Sequence, residues 1–290
     1  YDHGFVLANE KIIQKGKAKK DLNCRLWKIR AKKIILATGA QERPIVFENN
    51  DLPGIMLLSS IRDYLKLFGV CCGKRIIFFT NNDDAYKTAL EMFNYNVKIE
   101  YIIDLRPKKN NQFIKKVLEN GTKVFFEHGI KKSVGRNSLE AIKIFDLKKN
   151  HFKKELILKC DILGLAGGWS PILNLWSHNG GKIFWDKNNE MYLPSFKEPP
   201  INHLGEPNTI VIGSAAGKFT LNSCIIDSSN KIKSFLSENY IKDYPINYID
   251  NSQSSFSSYS KDYFFKNFKD NHGMTFIDMQ NDVKISDLSR

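Results

Sequence analysis

Read from the amino end, hydrophobic positions fall into short runs separated by glycine, proline and charged turns. From Phe5 to about Ala40 the pattern is strand, basic loop, strand, strand. Residues 25–31 alternate apolar and polar positions, as a half-exposed strand does, and the run Ile34–Ile35–Leu36–Ala37 then closes on Thr38–Gly39–Ala40. A short β-branched run ending on a glycine is the carboxyl end of a buried parallel strand. A connector bearing Pro44, Pro53 and Gly54 leads to a helical stretch over about 58–68. A βαβ unit follows: strand 75–80, helix about 83–93, strand 97–103 ending at Asp104. Further strands are expected at 122–126, 139–145 and 155–159, with turn chemistry between them. The run 161–165 leads into Ala166–Gly167–Gly168–Trp169, and 209–212 leads into Gly213–Ser214–Ala215–Ala216–Gly217 and a helix to about Glu238. Beyond it, 240–271 is rich in Ser, Asn, Asp, Lys and Tyr and reads as a connector to a module beginning near Met274.

Three strand ends therefore close on small residues: Thr38–Gly39, Gly167–Gly168 and Gly213–Ser214. Ligands of open α/β sheets bind outside the carboxyl ends of strands. Glycine there lets the backbone approach a phosphate, and a following helix offers free N–H groups. One such end alone is usually a turn; three of them, with a βαβ between the first and second, are a layout. The fold class it implies is α/β, a two-dinucleotide-binding-domain (FAD/NAD(P)-binding, Rossmann-like) oxidoreductase fold whose second domain is inserted in the first. The expected domains are 1–57 and 161–239 for the first, 58–160 for the insert, 240–273 for the connector and 274–290 for the start of a further domain.

The insert departs from the pattern where it matters. After strand 75–80 a GxGxxG belongs, but the residues are Thr80–Asn81–Asn82–Asp83–Asp84–Ala85–Tyr86, without one glycine. Side chains take the space a pyrophosphate needs, and Asp83 and Asp84 add negative charge. Asp104 stands where a ribose hydroxyl is usually accepted, or it caps its own loop before Pro107. The insert is expected to have kept the fold and lost tight dinucleotide binding.

Composition adds boundaries. Of 290 residues, 42% are hydrophobic and 26% charged, which excludes disorder of the whole chain. No apolar run approaches the roughly 20 residues of a membrane helix. The net charge of +13 raises the question of nucleic acid, but the lysines are scattered and only short runs stand out. The expectation is a solvated basic surface, with no nucleic-acid or membrane partner. Five cysteines, none in CxxC spacing, argue against a disulfide framework or a zinc ribbon and point to a reducing, cytoplasmic setting. The adjacent Cys71 and Cys72 are expected as buried thiols, and His128 and His178, without ligands at metal spacing, as structural. Trp169 either lines a crevice or packs. No metal site and no catalytic acid or base can be nominated. The chain opens at Tyr1 without Met or signal peptide, and reads as an internal piece of a longer polypeptide.

The stretches RLWKIRAKKIILATGAQERPIVFENNDLPGIMLLSSIRDYL, TNNDDAYKTAL, GGWSPILNLWSHNGGKIFWD and MTFIDMQNDVKISDL resemble the alpha subunit of heterotetrameric sarcosine oxidase. The resemblance covers nearly the whole chain but only the middle of that subunit. It implies oxidative demethylation of sarcosine to glycine, giving hydrogen peroxide and, with tetrahydrofolate, methylenetetrahydrofolate. It further implies NAD in this subunit, FAD and FMN elsewhere in the complex, and beta, gamma and delta subunits as partners. Alpha subunits of opine or amino-acid dehydrogenases share the ATGA–ERP–PG stretch but usually keep the glycine-rich second loop and a cysteine-rich iron–sulfur module. Here 276–282 has no cysteine. A third possibility is a scaffold that keeps the fold and binds nothing. In flavin-binding relatives an Asp follows the glycine of the third strand end; here Ser214 replaces it, consistent with a first site that has exchanged FAD for NAD. The residues expected to hold it are Thr38, Gly39, Gly213, Ser214, Ala215 and Ala216, with Leu221 and Ser223 on the following helix.

Overall fold

The computed structural model describes residues 5–11, 24–148, 155–236 and 274–288. It forms two compact units. Unit 1 takes Tyr1–Gln41, Ser170–Lys187 and Met191–Gln253; unit 2 takes Glu42–Trp169, Asn188–Glu190 and Ser254–Arg290. In chain order the strands are β1 (Val6–Lys11), β2 (Cys24–Ile29), β3 (Ile34–Leu36), β4 (Ala40–Glu42) and β5 (Ile55–Leu57), followed by helix α1 (Leu58–Phe68). Then come β6 (Ile76–Thr80), α2 (Asp84–Phe93), β7 (Ile99–Asp104), α3 (Gln112–Glu119) and β8 (Lys123–Phe126). After these run β9 (His128–Val134), β10 (Ala141–Asp146), β11 (Leu156–Lys159), β12 (Ile162–Ala166) and β13 (Trp169–Pro171). The return stretch holds α4 (Asn174–His178), β14 (Ile183–Asp186), β15 (Met191–Pro194), β16 (Thr209–Val211), a 3-10 turn Gly213–Ala216 and α5 (Leu221–Leu236).

In unit 1, β3 and β16 pair in parallel, Ile34 opposite Thr209 and Leu36 opposite Val211. Their inward side chains, Leu36 and Val211, meet Leu173, Trp176, Ala215 and Ala216 in a small core. Trp176 is fully buried on α4, and its indole Nε1 donates to Lys182 O at 2.8 Å. β14 and β15 form a hairpin whose facing Trp185 and Tyr192 rings stack edge to face, 5.0 Å apart. β1 and β2 pair antiparallel, Val6 opposite Ile29. The expected alternation of exposure along β2 is not found: every residue from Cys24 to Ile29 is exposed. A two-stranded ribbon shields a face only where something packs against it.

Unit 2 is built on five parallel strands in the order β5-β12-β6-β7-β8. Both faces are covered, so β6 reads as the unbroken apolar run IIFF rather than as an alternation. Ile76 and Phe78 face α1, α2 and α3 in a core with Ile61, Ala89 and Val117. Ile77 and Phe79 face the antiparallel sheet β11-β10-β9 in a second core with Ile130, Ile142 and Ile144. Gly164 lies at the centre of β12, where a Cβ would stand 2.9 Å from Phe78 and 3.0 Å from Ile61 and Leu58. That space lets α1 lie close on the sheet. Helix α3 and strand β9 in this unit, like α4, β14 and β15 in unit 1, are among the elements the hydrophobic pattern did not foretell.

The units also divide the chain differently from expectation. β5 and β12, assigned to the first domain by their position outside 58–160, hydrogen-bond into the sheet of unit 2. The boundaries consequently fall at Gln41 and Trp169. Just inside them Arg43 N–H donates to Gly168 O (2.8 Å) and Gly167 N–H to Arg43 O (2.9 Å), so the two ends of this long segment are held together within unit 2. The segment from Met274, expected as the start of a further domain, groups with unit 2. It holds strands β17 (Phe276–Asp278) and β18 (Val283–Lys284) and a short helix, Ile285–Leu288. The buried Asn50 carboxamide binds it as a strand would: Phe276 N–H donates to Asn50 Oδ1 (2.9 Å), and Asn50 Nδ2 donates to Phe276 O (2.8 Å). The expected connector lies outside the described residues.

Candidate nucleotide sites

The carboxyl ends of β3 and β16 lie side by side in unit 1, and most of the residues singled out from the sequence gather there. Thr38 Oγ1 donates to Ile172 O at 2.7 Å, and Ile172 N–H donates to Gly39 O at 3.0 Å, which fixes the turn after β3. Gly39 has φ 79°, a left-handed conformation that disfavours other residues, and a Cβ there would stand 4.0 Å from Ser214 Oγ. Gly39 and Ser214, distant in sequence, are thus neighbours. Gly213, also left-handed at φ 65°, turns the chain from β16 into the 3-10 turn.

The other nominated residues are otherwise engaged. Ala215 and Ala216 point their methyl groups into the core of unit 1, so only their backbone can face a ligand. Ser223 closes a reciprocal cap on α5: Ser223 N–H donates to Thr220 Oγ1 (3.1 Å), and Thr220 N–H donates to Ser223 Oγ (3.2 Å). Leu221 is exposed. One residue was missed. Asn222, in the first turn of α5, has a buried Oδ1 with no hydrogen-bond partner among the described residues, and a buried acceptor left unpaired is costly. A polar residue in a first helical turn gives no warning of that in the sequence.

The equivalent edge of unit 2 is filled by its own side chains. Arg106, almost fully buried, donates through Nη1 to Asp83 Oδ1 (2.8 Å), through Nη2 to Asp104 Oδ2 and Asn82 O (both 2.9 Å), and through Nε to Asp104 Oδ1 (3.0 Å). Asp104 also accepts from Arg106 N–H (2.9 Å) and from the Tyr86 hydroxyl (2.7 Å). The second oxygen of Asp83 accepts from Asn111 Nδ2 (2.9 Å), while Asn111 Oδ1 caps α3 by accepting from Phe113 N–H (2.8 Å). Asn82 Oδ1 accepts from Asp84 N–H (2.9 Å) at the start of α2. Burial opposes the Arg106 charge, but the hydrogen bond and charge of Asp104, then those of Asp83, outweigh it and raise its affinity for the proton. Burial first, then the charge and hydrogen bond of Asp104, keeps the Tyr86 phenol protonated far above its usual range.

Two further carboxylates sit at this edge. Asp84, the first residue of α2, accepts from Trp169 Nε1 at 2.8 Å, which gives Trp169 a hydrogen-bonding role beside its packing. Glu42 accepts from Ser59 N–H at 2.8 Å, a cap on α1 supplied from a remote strand, and burial raises its pKa above the usual 4.5. Cys71 is exposed rather than buried, because it follows the turn that ends α1 at Gly69, and its thiol meets Gly73 O. Cys72 is half-buried. His128 Nδ1 pairs with Phe126 O at 2.7 Å. Among the described residues no three His, Cys, Asp or Glu side chains form a metal-binding group, and no helix is long and apolar enough to cross a membrane.

No family profile matches the chain. Three curated sequences named sarcosine oxidase subunit alpha do match. That of Rhizobium meliloti (strain 1021) is 29% identical over 271 residues, 91% of this chain and 25% of the relative. Those of Corynebacterium sp. strains P-1 and U-96 are 35% and 32% identical over 59% and 67% of this chain, and 18% and 21% of their own lengths. The chain thus spans about a quarter or less of the relatives it matches. Among solved structures, T. acidophilum thioredoxin reductase aligns with a TM-score of 0.54 at 17% identity, over 72% of this chain and 69% of that one. Lactococcus lactis thioredoxin reductase aligns at 0.54 and 13%, over 81% and 70%. These likenesses bear out the fold class.

Proposed function

We propose that this chain, similar over nine-tenths of its length to a sarcosine oxidase alpha subunit, does the nucleotide-holding work of such a subunit, with NAD in unit 1. The supporting observation is the meeting of Gly39 and Ser214 at the ends of two parallel strands. Two glycines with positive φ leave backbone open to a phosphate, and Ser214 adds a hydroxyl without adding charge. Asn222 Oδ1, without a partner among the described residues, would accept from an N–H or O–H donor, and NAD carries both in its amide and ribose hydroxyls. Residues and group fit. Bound there, NAD supplies a ring that accepts hydride; the part of this chain is to bind and orient it.

The oxidative demethylation of sarcosine, the FAD and FMN that carry it out, tetrahydrofolate as co-substrate and the beta, gamma and delta subunits belong to the same proposal. No catalytic acid or base is assigned to this chain. The test is the nucleotide released on denaturing the purified full-length complex, measured by chromatography. Wild type is expected to release NAD. Ser214→Asp, which replaces the neutral hydroxyl beside Gly39 by the carboxylate that flavin-binding relatives carry there, is expected to reduce it about tenfold or more. NAD retained in full by Ser214→Asp and by Gly39→Val would move the site elsewhere.

A further inference from the structure

We propose that unit 2 carries an internal substitute for a dinucleotide. The Arg106 cluster occupies the carboxyl edge of its sheet, so the unit neither binds nor needs a nucleotide. A dinucleotide at this edge would link the turn after β6, the start of α2 and the end of β7. Here one guanidinium links the same three places: Asn82 O in the turn, Asp83 at the N-cap of α2, and Asp104 at the end of β7. Asn111 extends the link to the start of α3.

Space and charge both close the edge. Asn81, Asn82, Asp83, Asp104 and Arg106 are all at most 5% exposed, so their side chains fill the volume in which a ligand would lie. Asn82 Nδ2 is bonded to Ala166 O (2.9 Å) and to Asn81 Oδ1 (3.0 Å), which ties the turn to the end of β12. The first turn of α2, the position that attracts a phosphate, carries the acidic Asp84 instead. The Asp83, Asp104 and Arg106 group has a formal excess of one negative charge, which repels a pyrophosphate. Asp104 is unavailable to a ribose, because its oxygens already hold Arg106 and Tyr86.

The experiment is hydrogen exchange on the full-length subunit in its complex, with and without saturating NAD, NADP or ADP-ribose. In wild type, peptides spanning residues 80–86 and 104–106 are expected to exchange at the same slow rate in all cases. Protection of these peptides by any of the three nucleotides would overturn the proposal. Arg106→Met is expected to speed their exchange and to lower the melting temperature of unit 2 by about 10 °C. Should that variant fail to fold, Tyr86→Phe removes one hydrogen bond and is expected to speed exchange of the same peptides about tenfold. Wild-type exchange in both variants would equally overturn it. Peptides 38–40 and 213–224 report unit 1 in the same run, so failure of the NAD assignment there reads separately from failure here.

Discussion

Glu42 shows how much one buried carboxylate can decide. Its oxygen holds Ser59 N–H at the start of α1, yet burial, helped by the nearby charge of Asp84, raises its pKa above 4.5. A raised folded value means that the protonated form is the better fit. Its stabilisation is full below about pH 4.5 and is lost as the pH rises through the folded value. Glu42→Gln keeps an acceptor for Ser59 and removes the ionisation. It is expected to match wild type near pH 4, to melt higher at neutral pH, and to flatten the melting profile between the two. Glu42→Ala removes the cap and should cost about 1 kcal/mol near pH 4, and less at neutral pH, where the wild-type carboxylate has lost its own stabilisation. Thermal melts across that range check both. Ala216 teaches a narrower lesson. A bulky residue there would disrupt the core of unit 1 before it reached a ligand, so Ser214 is the sounder probe of the site.

At the scale of elements, what the sequence shows locally is what the structure keeps. The helix expected over 58–68 is α1, Leu58–Phe68, bounded by an apolar stripe and the left-handed Gly69. β9 escaped notice because its sequence, HGIKKSV, places Lys131 and Lys132 in mid-strand. They are tolerated through distant carboxylates: Lys131 meets Glu155 at 2.5 Å and Lys132 meets Glu48 at 3.9 Å. No local pattern contains those partners. The hairpin of β17 and β18 likewise depends on a residue far away in sequence, Asn50. Asn50→Ala leaves a backbone donor and acceptor of Phe276 without their partner and should cost about 2 kcal/mol of local stability. Limited proteolysis is expected to cut first within 274–288 in that variant and not in wild type; identical digestion patterns would count against this role.

The whole molecule divides between what composition allows and what only folding reveals. The fold class was legible because glycine-ended strands and a βαβ stand in the right order. The absence of a glycine loop after β6 was equally legible. What replaced it was not, since Arg106 becomes meaningful only when β7 sets it against Asp83 and Asn82. The net charge of +13 is distributed in the same unassuming way. Several lysines are engaged with carboxylates, Lys143 with Glu155 (3.0 Å) and Lys231 with Asp227 (2.9 Å) among them. DNA binding should therefore be weak, independent of sequence and lost at moderate salt; a filter-binding titration that found a salt-resistant, sequence-specific complex would reverse that view.

The contacts of Arg43 with Gly167 and Gly168 bear on how the chain assembles itself. The parallel pair of unit 1 joins β3, near the start of the chain, to β16, which is synthesised only after the entire sheet of unit 2. Joining strands so far apart in a flexible chain carries a large loop-closure entropy and slows folding. Once unit 2 has folded, Arg43 is already pinned beside Gly167 and Gly168. The long intervening loop is then shortened to the crossing of Arg43 with Gly167 and Gly168. The expected order is therefore that the insert folds before β3 and β16 pair, which pulse-labelled hydrogen exchange during refolding would check.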